Sequence, residues 1–231
     1  MVKENEKYGI KDMEHMANLA THAIMVPVSG VAFRNLIRET DRTYKTCIFY
    51  GICMVTLFLC STFYHFVGYY QHRSRTHGLF YHFCQRIDRS AICLFIGVSY
   101  TPWLLLHNNG STTLATVVWV LTAVGIAFQQ TAMYRYDTLK LAAEVVVGVV
   151  PLLFVIVDCL SQGHVRQDWA GLVLMTAGGL AYISALTFQS FDNQMAFAHA
   201  VWHLFEVLGC ILHYTAVYMS LVGPHTVVRQ S

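Results

Sequence analysis

Apolar residues are concentrated in seven blocks along the chain, and each block is long enough to cross a bilayer as a helix. The blocks cover residues 18–36, 47–70, 84–106, 113–133, 139–157, 168–188 and 195–222. A spanning helix needs about 20 mostly apolar residues, with a range of roughly 17 to 25. The connections between the blocks are too short to hold a second domain. The pattern therefore predicts an all-α fold in which residues 1–231 form one polytopic membrane domain of seven transmembrane helices.

The composition narrows the class of protein further. Hydrophobic residues make up 55% of the 231 residues and charged residues only 12%, well below the roughly 25% that is usual in a soluble domain. The opening residues mix both charge signs and lead into a full-length apolar block, so we do not expect a cleaved signal peptide. The seven cysteines lack the spacings of a disulfide framework or a metal site. A net charge of +2 without a basic run gives no case for a nucleic-acid partner.

Lysine and arginine are distributed unequally between the two sides that this topology defines. With a cytoplasmic amino terminus, nine basic residues lie on the cytoplasmic side and six on the opposite side. The cytoplasmic residues are Lys3, Lys7, Lys11, Arg73, Arg75, Arg86, Arg89, Arg135 and Lys140, and the others are Arg34, Arg38, Arg42, Lys45, Arg166 and Arg229. Because cytoplasmic loops carry an excess of basic residues, the count predicts an inward amino terminus.

Ionisable residues interrupt the last apolar block at regular intervals. His199, His203, Glu206, Cys210 and His213 follow one another at spacings of four, three, four and three residues. This spacing keeps all five side chains on one face of a helix. Because ionisable side chains are costly inside a bilayer and usually face the interior of a bundle, we expect this face to point inward.

Two other helices bring polar residues to the same depth in the membrane. Ser61 and His65 lie four residues apart near the end of the second block, and Asp88 lies near the start of the third. The end of the second helix and the starts of the third and seventh helices lie on the same side of the membrane, whichever way the chain is inserted. His65, Asp88, His199 and His203 are therefore predicted to lie at matching depth.

Three histidines at one depth favour a zinc site. Zn²⁺ binds imidazole nitrogen in a tetrahedral arrangement, and three histidines leave the fourth position to water. We expect His65, His199 and His203 to be the zinc ligands. Asp88 is the candidate to orient that water and accept its proton. Ser61, one turn from His65, is the candidate to hydrogen-bond a ligand or a substrate carbonyl.

Simpler structural roles remain open for several of the polar residues. Asp88 is flanked by two arginines and can belong to an interfacial ion pair. A single intramembrane histidine, such as His22, His82 or His213 taken alone, often makes only an interhelical hydrogen bond. Asn18 and His22 share one face of the first helix with Ser29, and they either line the same cavity or brace it.

Four motifs, STFYH, RIDRSAI, SYTPWL and FAHAVWHLF, resemble those of the progestin and adipoQ receptor (PAQR) and hemolysin III family. The last two are most similar to the branch of the monocyte to macrophage differentiation factor (MMD), and the resemblance covers about residues 14–221. It implies seven helices, an inward amino terminus and a zinc ion near the cytoplasmic side. It also implies zinc ligands at His65, His199 and His203, with the family's characteristic aspartate at Asp88 and its serine at Ser61.

The same resemblance implies three classes of function. The first is a receptor-like membrane protein that acts in signalling and carries an intramembrane zinc site. The second is a zinc-dependent hydrolase of a lipid amide such as ceramide, for which membrane lipids are the partners. The third is a hemolysin-like pore former, which ranks last because few charges line a path through all the helices.

Glu206 stands where relatives carry an apolar residue, so we expect it to change the electrostatics of the cavity. The location, in an endomembrane (Golgi, late endosome or lysosome) or in the plasma membrane, stays open.

Overall fold

The fold consists of helices, without a strand, throughout the residues that the computed structural model describes. These residues are 2–39, 45–74, 78–106, 111–131, 137–161, 169–191 and 194–222. In chain order the helices are α1 (Val2–Ala23), α2 (Met25–Glu39), α3 (Lys45–Ser74), α4 (Leu79–Leu106), α5 (Thr112–Gln129), α6 (Asp137–Ser161), α7 (Trp169–Ser190) and α8 (Ala198–Val217). A short π-helix, Tyr218–Val222, continues α8. The predicted all-α class is confirmed.

Six helical segments within the described residues are long and apolar enough to cross a membrane. They are Lys11–Glu39, Lys45–His72, Leu79–Leu106, Thr112–Gln129, Trp169–Ser190 and Ala198–Val222. The apolar part of α6, Ala142–Val157, is shorter than these six. The prediction of a multi-pass membrane protein is confirmed, and within the described residues each of the seven predicted blocks overlaps one helical segment.

The first segment combines α1 and α2, which meet at Ile24. Pro27 lies in the first turn of α2. Proline has no backbone N–H, so it cannot bond to the carbonyl four residues earlier, and its ring crowds that carbonyl. This accounts for the local break. Helix α1 begins at Val2, well before its apolar block starts at residue 18. The apolar block misses this part of the helix because the first turns of α1 are polar.

Helix α4 occupies the interior of the bundle, since 67% of the residues in its 18-residue apolar stretch are buried. It contacts α3, α5, α6 and α8, and it therefore places its own polar residues between the other helices. Helix α8 packs along α7 and also contacts α1 and α4. These two helices, together with α1 and α3, position the candidate site.

Helices α7 and α8 approach closely through glycine. A Cβ atom on Gly178 would overlap Cδ2 of His213 and lie 3.2 Å from the carbonyl oxygen of Gly209. Nε2 of His213 lies 3.1 Å from the carbonyl oxygen of Met175. Small residues of this kind let transmembrane helices pack backbone to backbone, so the register of α8 against α7 is sterically defined.

Candidate metal centre

Three histidines from two helices meet inside the bundle. His65 lies on α3, and His199 and His203 lie on consecutive turns of α8. Their candidate ligand atoms all lie within 4.8 Å of one another. The ring centroids are 5.1 Å apart for His65 and His199, 4.6 Å for His65 and His203, and 4.7 Å for His199 and His203. The structure thus brings the three predicted ligands together.

The three side chains suit a zinc ion in number, type and spacing. Nitrogens bound to one tetrahedral zinc at 2.0 to 2.1 Å are roughly 3.4 Å apart, so modest side-chain rotations would bring these atoms to ligand distances. Nε2 of His65 is buried and has no hydrogen-bond partner within the described part of the chain. A buried polar nitrogen normally has a partner, and a metal ion would supply one.

The hydrogen bonds around His203 indicate the tautomer of its ring. The Thr21 hydroxyl of α1 donates to the carbonyl oxygen of Asn18 at 2.9 Å. Its oxygen therefore accepts from Nδ1 of His203, which lies 3.0 Å away. A histidine that carries its proton on Nδ1 presents an unprotonated Nε2. Hydrogen bonds of this kind orient metal-binding histidines and set their tautomer.

His22 of α1 braces the cluster. Its ring stacks on that of His203 with centroids 3.9 Å apart and an angle of 24° between the planes. Nδ1 of His22 lies 2.6 Å from the Ser61 hydroxyl oxygen, and its Nε2 lies 3.7 Å from Oε2 of Glu206. Of the two alternatives for this residue, the geometry favours bracing the site. The last of these contacts places the His22 ring beside the carboxyl group of the buried Glu206.

Asp88 of α4 and Ser61 of α3 lie beside the cluster, and both are only 2% exposed. The Ser61 hydroxyl contacts the Asp88 carboxyl as well as His22. Oδ1 of Asp88 has no hydrogen-bond partner among the residues that the structure describes. The site therefore combines three imidazoles with a buried carboxyl group whose second oxygen is available to a ligand.

The arginine that follows Asp88 pairs with a carboxylate on another helix. Nη1 of Arg89 lies 3.4 Å from Oε1 of Glu144 on α6. Its guanidinium carbon lies 4.4 Å from the centre of the Trp202 ring on α8. Arg89 thus ties α4 to α6 and α8 and supplies the buried Glu144 with a cationic partner.

A cavity of about 440 Å³ adjoins the histidine cluster. Its lining includes His65 and His199 from the cluster, together with Asn18, Tyr64 and Arg89. Cavities that bind small molecules usually measure about 300 to 1,000 Å³, so this one is large enough to bring part of a ligand to the histidines. Asn18 lines this cavity. Of the two roles expected for Asn18, lining the cavity or bracing it, the structure shows the first.

The start of α8 contacts the first helix through a carboxylate. Oε1 of Glu14 accepts a hydrogen bond from the backbone N–H of Phe197 at 2.7 Å. Phe197 has a φ of 61° and a ψ of 8°. A bulky residue in this left-handed region costs on the order of 1 to 3 kcal/mol and persists only where its surroundings enforce it. Two residues after this strained position comes His199.

The sequence patterns did not identify Glu14 and Thr21 as parts of the site. A signal was present, because Glu14, Asn18 and Thr21 are spaced by four and three residues and so share one face of α1. Asn18 and Thr21 are not residue types that usually bind zinc. The importance of this face follows from contact with α8, which no local pattern reveals.

Comparison with known proteins gives relatives along almost the whole chain. The profile of the haemolysin-III related family matches residues 12–214. The chain is 30% identical over 221 residues to the monocyte to macrophage differentiation factor of Homo sapiens, an alignment that covers 94% of this chain and 88% of that protein. It is 29% identical over 214 residues to hemolysin-3 of Bacillus cereus, covering 87% of this chain and 91% of that protein.

Proposed function

The chain belongs to the haemolysin-III related family, and we propose that it is a receptor-like membrane protein with an intramembrane zinc site that acts in signalling. The observation that carries the zinc site is the cluster of His65, His199 and His203, whose ligand atoms lie within 4.8 Å of one another. The similarity to a protein named as a differentiation factor supports the signalling role. The proposal includes seven crossings, an inward amino terminus and a site near the cytoplasmic side.

A metal measurement tests the zinc site directly. We expect the purified protein to carry about one zinc per chain, as a single three-histidine site implies. The double variant His199→Ala, His203→Ala should lose this zinc, and it should unfold at a lower temperature because metal binding contributes to folding stability. The control is His82→Ala, an exposed histidine on α4, which should retain the metal. Full zinc content in the double variant would refute the site.

A zinc-dependent hydrolase of a lipid amide is the second candidate function. The observation that favours it is the cavity of about 440 Å³ that reaches His65 and His199. A bound zinc ion polarises a carbonyl group and activates water. In this mechanism Asp88 would hold or accept a proton through Oδ1, which has no hydrogen-bond partner among the described residues. The Ser61 hydroxyl contacts both His22 and Asp88, and it would orient one of these groups by hydrogen bonding.

Ceramide turnover by the wild-type protein separates the two candidate functions, and the Asp88→Asn variant tests the role of Asp88 in turnover. It preserves the shape of the side chain and removes its ability to take a proton. If the chain hydrolyses ceramide, the variant should keep its zinc and lose turnover by about 10²- to 10⁴-fold, which is the usual contribution of a general acid or base. Turnover by the wild-type protein that Asp88→Asn leaves unchanged would remove Asp88 from the mechanism. A zinc-loaded wild-type protein without turnover would leave the receptor-like function alone.

A further inference from the structure

Helix α8 begins without a cap of its own. The first N–H groups of a helix have no partner within it, and a Ser, Thr, Asp or Asn side chain at the preceding residue usually accepts from one of them. Here that residue is Phe197, which forms no side-chain cap. Its left-handed backbone also departs from the extended conformation that such a residue normally has. The start of α8 therefore depends on groups from elsewhere in the chain.

Glu14, from a distant part of the sequence, supplies an acceptor for the N–H of Phe197 itself. Its carboxylate accepts the Phe197 N–H at 2.7 Å across a separation of 183 residues. A negative charge at this position also faces the positive end of the α8 dipole. One hydrogen bond thus fixes the left-handed residue and stabilises the first turn of the helix.

A second contact from α1 lies two turns further along the same helix. Thr21 is seven residues after Glu14 and hydrogen-bonds to Nδ1 of His203 at 3.0 Å. The two contacts bracket the stretch of α8 that carries His199 and His203. Because one contact holds the backbone before the first ligand and the other holds the ring of the second, α1 constrains both the position and the orientation of α8.

We infer that Glu14 is a positioning residue of the metal centre, which holds the start of α8 so that His199 and His203 meet His65. This inference rests on the proposed zinc site. It assigns the amino-terminal helix a role in metal affinity, although Glu14 is not one of the three clustered ligands.

Substitutions of Glu14 in the full-length protein test the inference through zinc affinity, measured by competition with a chelator. Glu14→Ala removes the acceptor, and we expect zinc binding to weaken by about 10- to 100-fold, as for other groups that orient metal ligands. Glu14→Gln keeps an amide oxygen that can accept the same N–H, so it should stay within about 3-fold of the wild type. The control is Glu39→Ala, an exposed glutamate at the end of α2, which should change nothing.

Hydrogen exchange of the segment 195–201 gives a readout that does not depend on metal. In the metal-free protein, Glu14→Ala should speed exchange of the Phe197 amide, and Glu14→Gln should restore most of its protection. Unchanged zinc affinity in Glu14→Ala, in a wild-type protein that does bind zinc, overturns this inference alone. Equal losses in Glu14→Ala and Glu14→Gln also overturn it, because the amide would then fail to replace the acceptor. A wild-type protein without zinc overturns the zinc site and this inference together.

Discussion

Single side chains on α1 define the chemistry that the histidine cluster offers. The hydroxyl of Thr21 has one proton, which it donates to the carbonyl oxygen of Asn18. It can therefore only accept from His203, which keeps the proton of that imidazole on Nδ1. A ligand nitrogen must be unprotonated to bind a metal. The contact with Thr21 thus leaves Nε2 of His203 unprotonated and able to bind a metal ion.

Replacing Thr21 tests whether its hydroxyl sets the tautomer of His203. Thr21→Val keeps the branched shape and removes the hydroxyl, so Nδ1 of His203 loses its acceptor and the ring can adopt the other tautomer. We expect zinc affinity to fall about 10-fold, the lower end of the range for such second contacts. Thr21→Ser, which retains the hydroxyl, is the matched control and should bind zinc nearly as well as the wild type. Equal affinities of the valine and serine variants, measured by chelator competition, would contradict the assignment.

The residues of the site differ in how far the sequence could reveal them. His65, Asp88 and the two histidines of α8 were predictable because membrane helices alternate in direction and so place their ends at known depths. Their distances were not predictable, since these depend on how α3, α4 and α8 pack. The role of Glu14 was hidden for a related reason: its partner is a backbone N–H, and every residue except proline has one.

At the scale of helices, close packing of α7 on α8 holds the ligand-bearing helix in register. Gly178 makes this approach possible, because a Cβ there would overlap the His213 ring and press on the backbone of Gly209. The ring has little freedom to move away, since it is fully buried and its Nε2 lies 3.1 Å from the carbonyl oxygen of Met175. A larger residue at position 178 must therefore separate the two helices.

Two alanine substitutions with opposite expected signs test this packing. Gly178→Ala should destabilise the protein by roughly 1 to 3 kcal/mol, the usual cost of adding a methyl group to a packed interior. Gly148→Ala, in α6, places its Cβ where no atom lies within 4 Å. It should leave stability unchanged or raise it by up to about 1 kcal/mol, because alanine favours helix. Thermal unfolding of both variants in one detergent provides the measurement, and equal midpoints would show that position 178 is not tightly packed.

The sequence located the helices better than it located their ends. Apolar blocks identify the part of each helix that avoids water, so the described residues of all seven blocks overlap helical segments. The polar first turns of α1 lie outside any such block, although they carry Glu14. Within this extension, Asp12 lies 3.6 Å from Nε2 of His72 on α3, and Glu14 accepts from the N–H of Phe197 before α8. These contacts arise only in the folded bundle.

For the whole molecule, one hydrogen bond limits the number of membrane crossings. Glu14 lies near the start of the first membrane segment, and its partner Phe197 immediately precedes α8. These two points are on the same side of the membrane, so the chain must cross an even number of times between them. The first segment, α3, α4, α5 and α7 are long and apolar enough for five crossings. If all five cross, parity predicts that α6 crosses as well, despite its shorter apolar part, Ala142–Val157.

Reporters placed between helices measure this directly. If α6 crosses, a tag inserted at 132–136 should lie on the side of the amino terminus, and a tag inserted at 162–168 should lie on the opposite side. The excess of basic residues on the amino-terminal side predicts that this side is the cytosol. In cells whose plasma membrane alone has been permeabilised, protease in the cytosol should thus cleave the amino terminus and the first tag. It should not cleave the second tag. Two tags on one side would mean that α6 does not cross, whereas a protected amino terminus would reverse the orientation and place the histidine cluster near the outer face.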